Sequence, residues 1–196
     1  VSSLTPTPKD QELALLLTTG EQQTVSYLSM VLNDIGVNAK AMTGYQAGIK
    51  TVGHHLKSKI AEINPNIFNE AFKNHDILVV AGFQGINEDF ELTTLGRGGS
   101  DTTAVALAAS NQTPCEIYTD VDGVYATDPR ILNEAKRLEY VSYEEMMEMS
   151  ALGAGVLETR SVELAKNYDI PLYLGSTLSN VKGTWIMLKS DLLEKK

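Results

Sequence analysis

Two stretches of this sequence gather residues able to do chemistry. The first is TLGRGGSD at 94–101, which sets three glycines, Arg97 and Asp101 directly before the apolar run TTAVALAAS. Gly98 and Gly99 remove side chains that would hold a ligand away from the backbone. A helix starting near Asp101 turns its first N–H groups, and the positive end of its dipole, toward that loop, which favours an anion there. Arg97 offers a bidentate clamp for a carboxylate. Asp101 would orient a donor or help hold a metal. A glycine turn with Asp101 as helix N-cap accounts for the same residues without any ligand.

The second stretch is TDVDGVYATDPR at 119–130. Thr119 and Asp120 end an apolar strand, and Asp122-Gly123 is a turn signal. Tyr125 is suited to stacking on, or hydrogen bonding to, a base or ribose. Asp128-Pro129 starts another turn, and Arg130 is set to reach a phosphate. A polar surface loop between strand and helix is the alternative. Both stretches adjoin strands expected in a sheet, and ligands of open α/β sheets bind at the carboxyl ends of strands. Glu21, in the glycine turn TTGEQ, would hold an amine or cap a helix. His54 and His55 are adjacent and cannot both face one metal from a strand, and His75 is distant, so no metal ligand is assigned. The chain has no G-x-S-x-G and no phosphate-binding G-x-x-x-x-G-K-[ST].

The elements that must position these loops follow from periodicity. Residues 10–35 carry apolar side chains at helical spacing, with a break or a new start expected at Thr19 to Gln22. NAKAMTG and KSKIAEI read as short strands, and NPNIFNEAFKNHD as a helix with Pro65 near its start. ILVVAGFQG is an almost unbroken apolar run, β-branched at its start and ending in glycine, the pattern of a strand buried on both faces. INEDFELTTLG predicts a hairpin turning at Asn87 to Asp89. A helix from about Asp101 to Asn111 and a second buried strand, CEIYTDV, follow. VSYEEMMEMSALG predicts a helix with Ser142 as N-cap and Glu145 completing a capping box. SVELAKNYD is a further helix, and IPLYLGST and GTWIML are the last strands. Strands alternating with helices imply an α/β fold with a largely parallel sheet.

Bulk properties narrow the partners. A hydrophobic fraction of 43% over 196 residues suffices for one domain with a real core. The net charge of -9 argues against nucleic acid and against an anionic membrane surface, both of which need a basic face. Local cations and backbone N–H groups still suffice for an anionic substrate. Cys115 is the single cysteine, so no intrachain disulfide forms, and its apolar setting reads as core. Together with the lack of any signal-like or membrane-length apolar run, this gives a cytoplasmic reading.

Taken together, the loops resemble a known family. TDVDGVYATDPR is similar to the nucleotide-binding loop of the amino acid kinase superfamily. TTLGRGGSDTTAVALAA resembles the aspartate kinases more specifically, and LLTTGEQ, MTGYQAG, VVAGFQG and RSVELAK occur in that family's order. The resemblance implies a three-layer α/β sandwich, with a mainly parallel central sheet flanked by helices. It implies ATP-dependent phosphorylation of the L-aspartate side-chain carboxylate with Mg²⁺, the first step of lysine, threonine and methionine biosynthesis. It also implies a homodimer and C-terminal ACT regulatory domains. Position by position, Glu21 and Arg97 would hold the amine and carboxylate of the amino acid. Gly98, Gly99 and Ser100 would lie between substrate and phosphates, with Ser100 touching both. Asp101, with Arg97, would organise the reacting end. Thr119, Asp120, Tyr125, Ala126, Thr127, Asp128, Pro129 and Arg130 would contact the nucleotide. A carboxylate is already ionised at neutral pH, so the reaction needs positioning and charge neutralisation rather than a general base.

Two departures stand beside the resemblance. Family members begin with a K-[FY]-G-G-[ST] loop whose lysine spans the phosphates, and this chain opens on VSSLTPTPKD. The expectation is an N-terminally incomplete catalytic domain over 1–190, weakly active by itself, with 191–196 a tail or the start of a linker. The family's GAK is Gly153-Ala154-Gly155 here. A degenerate binding module, or a kinase of another small carboxylate such as glutamate, are the alternatives.

Overall fold

The computed structural model describes residues 1, 3–128, 131–153 and 155–190. The chain divides into two compact units, Val1–Thr103 and Ala104–Lys196.

The first unit opens with helix α1 (Asp10–Asp34). Hydroxyls that would otherwise compete with the helix are satisfied inside it. Thr18, Thr19, Thr24 and Ser26 donate to the carbonyls of Leu15, Leu16, Gly20 and Gln22. The helix ends at Gly36, with φ of 87°. Asn33 then ties it to the next strand, its amide donating to the carbonyls of Ser29 and Ala39. Strands β1 (Ala39–Met42) and β4 (Ile77–Val80) pair in parallel, and α1 packs against both. A four-stranded sheet runs in the order β3 (Lys57–Ile63), β2 (Ile49–His54), β5 (Gln84–Ile86), β6 (Leu92–Thr94). Its β2–β5 contact is parallel and its two hairpins are antiparallel. The short helix α2 (Pro65–Ala71) starts on an Asn64 cap that accepts from the Asn66 N–H.

Helix α3 (Gly99–Asn111) begins in the first unit and ends in the second. There β7 (Cys115–Thr119), β9 (Leu172–Ser176), β10 (Thr184–Met187) and β8 (Tyr140–Ser142) form a sheet in that order. The β7–β9 and β10–β8 pairs are parallel. Helices α4 (Tyr143–Ala151) and α5 (Thr159–Asn167) complete the unit. Its core gathers Val105, Val124, Val141, Met146, Val162, Leu172, Leu174 and Ile186. Tyr143, wholly buried, spends its hydroxyl on the Ile170 carbonyl at 2.7 Å. Cys115 lies in this core, as its apolar setting predicts. The α/β class read from the sequence is the class observed, with parallel pairings in both units and helices against the sheets.

Several expectations change. Thr19 to Gln22 neither break nor cap a helix: α1 runs through Gly20 without interruption, so Glu21 sits mid-helix rather than at a glycine turn. The ILVV run is not buried on both faces, since Ile77 is exposed and Leu78, Val79 and Val80 are half-buried. It pairs with β1, then stops at Val80, and the chain turns into β5. CEIYT is one-sided too, burying Cys115 and exposing Glu116 and Tyr118. Helix α3 starts two residues before Asp101, which removes the N-cap reading of that residue. Strand β2 is absent from the sequence reading because TVGHH, at its end, lacks a clear alternation. The reading of 191–196 as a tail lies outside the described residues. Among those described, no helix is long and apolar enough to cross a membrane.

Candidate functional site

The glycine loop of the first unit is built by the hairpin β5–β6, which delivers its last residues at a fixed register, Gln84 opposite Thr94. Three neutral side chains lock that strand end. Thr51 and Thr93 share a hydrogen bond of 2.6 Å, and Ser58 donates to the Thr94 carbonyl at 2.9 Å with its hydroxyl oxygen also 3.0 Å from Thr93 Oγ1. The Thr94 N–H donates to the His55 carbonyl at 2.7 Å, and the Leu95 N–H to the Phe83 carbonyl at 2.9 Å. The chain then turns through Gly96 and Gly98, with φ of 74° and 65°, left-handed conformations that favour glycine. Gly99 is the first residue of α3.

Gly99 answers a different demand. A Cβ there would lie 2.8 Å from Phe83 Cδ2 and 2.9 Å from Leu95 Cβ. The space its missing side chain leaves is filled by protein. Phe83 itself holds a left-handed backbone, φ 66°, rare for an aromatic residue. Its N–H donates to Thr103 Oγ1 at 3.0 Å, and Thr103 in turn donates to the Gly99 carbonyl at 2.7 Å. A Cβ at Gly82 would lie 3.4 Å from Ser100 Cα, so the two segments run close together. The loop is thereby held from behind, while Arg97 and Ser100 are exposed and Asp101 is half-buried in the first turn of α3. The arrangement presents a cation, a hydroxyl and a helix start on one short segment.

Glu21 is half-buried on α1, and α1 packs against β6, the strand that feeds the loop. The next residue, Gln22, donates to Gln84 Oε1 at 3.2 Å, and Gln84 Nε2 donates to the Thr18 carbonyl at 3.2 Å. Beside the hairpin, His55 and Glu91 pair at 2.7 Å and His54 and Asp10 at 2.9 Å. The hydrogen bond from His55, then that from Asn87, holds the Glu91 carboxyl below the usual range. The two histidines thus take separate carboxylates. Among the described residues, no three His, Cys, Asp or Glu side chains cluster as metal ligands.

The second loop is more anchored than a surface loop. The Thr119 carbonyl accepts from both the N–H and the hydroxyl of Thr177, while the Thr119 hydroxyl donates to Asp120 at 3.0 Å. Asp122 accepts from Ser179 at 2.7 Å. Gly123, at φ 144°, brings the chain so close to Thr184 that a Cβ would meet its hydroxyl at 2.6 Å. Thr184 Oγ1 joins the Val124 N–H to the Leu138 carbonyl. Val124 is buried, Tyr125 and Asp128 are half-buried, and Ala126 and Thr127 are exposed. Tyr125 forms a bridge to Arg137, whose guanidinium donates to the Gly183 carbonyl. Pro129 and Arg130 lie outside the described residues.

Phe83, Gln84, Thr103 and Thr184 were missed by the sequence reading. For Phe83 and Gln84 the motif GFQG was in view, but a positive φ and a buried amide leave no trace in residue order. Thr184 is far from its loop in sequence and nothing there flags it.

A glycine loop opening on a helix start in one unit, and a strand-end Thr-Asp loop in the other, are the parts by which α/β phosphotransferases receive anionic groups. The chain belongs to the amino acid kinase family, whose model matches residues 3–176. It is 50% identical over 186 residues to aspartokinase 2 of Bacillus subtilis, covering 94% of this chain and 46% of that protein. The structure of E. coli aspartokinase III in complex with aspartate and ADP superposes with a TM-score of 0.85 at 29% identity, covering 92% of this chain and 42% of that one. Aspartate kinase from Synechocystis gives 0.80 at 41% identity, over 95% and 31%. The chain therefore spans less than half the length of these relatives.

Proposed function

We propose that residues 1–190 are the catalytic portion of an aspartokinase, which transfers the γ-phosphoryl group of ATP to the side-chain carboxylate of L-aspartate. The observation that carries this reading is the GRGGSD loop seated on the first turn of α3, in a chain similar to a protein solved with aspartate and ADP. In this reading Arg97 takes the α-carboxylate of aspartate and Glu21 its amine. Gly98, Gly99 and Ser100 separate substrate from phosphates, and Asp101 orients the reacting end. Thr119, Asp120, Tyr125, Ala126, Thr127 and Asp128 receive the nucleotide, with Pro129 and Arg130.

The nucleophile is a carboxylate that carries no proton to remove, so the obstacle is repulsion between two anions. The protein's contribution is orientation plus the positive potential of Arg97 and the helix start. Mg²⁺ supplies charge neutralisation on the triphosphate, and a metal that arrives on the phosphates needs only one or two protein carboxylates.

Outside the catalytic portion, ACT regulatory domains belong to the full-length protein, and the setting is cytoplasmic. A homodimer fits the reversed character of α1. Its packed face is small, with Ala14, Thr18 and Ser29 buried, while Leu16, Leu17, Tyr27, Leu28, Val31 and Ile35 are 45–68% exposed. Exposed apolar side chains gathered along one helix mark an interaction surface. Gly20 and Thr24 sit among them and permit close approach of a second α1. Leu16→Glu with Val31→Glu should convert dimer to monomer in light scattering; an unchanged mass would remove α1 from the interface.

The test of activity is acyl phosphate formation on L-aspartate, trapped with hydroxylamine, with and without an added N-terminal K-F-G-G-T segment. Turnover by the extended protein supports the reading, and preference for glutamate would redirect it. Nucleotide binding without turnover in either form favours a degenerate binding module. That second reading has one specific support, Gly155 where the family carries lysine.

A further inference from the structure

Gln84 is wholly buried, yet it is an amide where a methionine of similar volume would be cheaper to bury. Both ends of the amide are used, and both on the same helix. Nε2 donates to the Thr18 carbonyl and Oε1 accepts from Gln22, each at 3.2 Å. Gln22 also reaches Thr18 Oγ1 at 3.5 Å. On the strand side, Gln84 pairs with Thr94 in the hairpin register and follows Phe83, whose carbonyl holds Leu95. Gly44 closes over it, since a Cβ at that position would run into the Gln84 carbonyl and lie 2.9 Å from its Cγ.

The bonds to α1 span the turn that carries Glu21. The residues that helix buries fully, Ala14, Thr18 and Ser29, are small, with Val25 and Leu32 half-buried, so packing alone holds its rotation and register on the sheet only loosely. We infer that Gln84, with Gln22, is a positioning residue: it sets the rotation and axial register of α1 against the β5–β6 hairpin and so fixes Glu21 relative to the Arg97 loop. The amide touches no substrate. Its effect is specificity for a ligand bearing an amine beside its carboxylates. This rests on the reading of Glu21 as the amine contact.

The test compares L-aspartate with succinate, which keeps both carboxylates and lacks the amine. Titrations of the ¹⁵N-labelled chain followed by chemical shift measure both affinities. The wild-type chain should prefer aspartate. Gln84→Met should weaken aspartate about tenfold, as expected for losing one or two net hydrogen bonds, and leave succinate within about twofold. Gln22→Met, at a half-buried site that tolerates the change, should do the same, and the double variant should be no worse than either single one. Equal loss for both ligands, or no loss for either, overturns the inference and makes Gln84 merely structural. A wild-type chain that does not distinguish the two ligands removes the Glu21 assignment itself, and this inference with it. Glu21→Gln supplies the benchmark, since it should abolish the preference outright.

Discussion

Gly99→Ala separates two reasons for a glycine at a binding loop. If Gly99 exists to let a ligand approach, an alanine there disturbs binding and leaves the fold alone. The structure says otherwise: the new Cβ would sit 2.8 Å from Phe83 Cδ2 and 2.9 Å from Leu95 Cβ, well inside the ~3.5–4.0 Å of carbon–carbon contact. Neither neighbour yields easily. Leu95 is 1% exposed, and its contacting atom is fixed to the backbone. Phe83 has its N–H bonded to Thr103 and its carbonyl to Leu95. Overpacking of this kind costs ~1–3 kcal/mol, and two immobile neighbours put the expected value near the top, at ~2–3 kcal/mol. For a chain of this size that lowers Tm by about 5–10 °C. Thermal unfolding followed by circular dichroism, with urea midpoints as a second measure, reads it directly. Gly96→Ala is the comparison, since its cost is the left-handed backbone alone, ~1–2 kcal/mol. A Gly99→Ala protein as stable as wild type but unable to bind aspartate would refute the packing argument and return that space to the ligand.

Other perturbations test other parts. Arg97→Ala should raise the KM for aspartate by about 10–100-fold, the worth of a charge-assisted contact, and spare ATP binding; an unchanged KM ends that assignment. Glu91 is held below the usual carboxylate range by His55 and then Asn87. A lowered folded value means its stabilisation is complete above the ordinary ~4.3 and fades as pH falls through the lowered value. Glu91→Gln should therefore lower the urea midpoint at about pH 5.5, by an amount that shrinks as pH falls, whereas a constant gap would contradict the linkage. Gly155→Lys should tighten ATP binding about tenfold or more. Since φ at this position is 60°, it should also lose ~1–2 kcal/mol of stability. No change in ATP affinity would mean that this position does not face the nucleotide.

How far the sequence reaches depends on the kind of signal. The capping box at Ser142 and Glu145 was legible because both of its bonds lie within four residues, and both form. So were the Asn64-Pro65 helix start and the Asn87 turn. The burial of ILVV was not, because composition reports hydrophobicity and not how many faces a strand has covered. The continuity of α1 was hidden by Gly20, a residue that lowers helix propensity by ~1 kcal/mol yet is outvoted over twenty-five positions. In the loop, the residue types of GRGGSD pointed to an anion site. That Gly96 and Gly98 serve backbone conformation while Gly99 serves packing needed the partners Phe83 and Leu95.

The layer beneath the loop bears on mechanism. Thr51, Ser58, Thr93, Thr94, Thr103 and Gln84 are all buried and all neutral, and their hydroxyls and amide are spent on one another, on backbone or, for Gln84, on the neutral side chain of Gln22. A site that had to move a proton would be supported by groups tuned to titrate near neutrality. A site that brings an ionised carboxylate to a triphosphate needs a support whose geometry and charge do not change with pH. The aspartate-dependent rate should accordingly be flat across the neutral range, apart from ionisation of the substrate amine and of the groups that touch the ligands. Ser58→Ala tests the point. It removes the donor to the Thr94 carbonyl and the hydroxyl beside Thr93, and is expected to lower kcat at every pH by a similar factor. A variant whose defect appeared on only one side of neutrality would show that the layer works by protonation, and the argument from fixed geometry would fail.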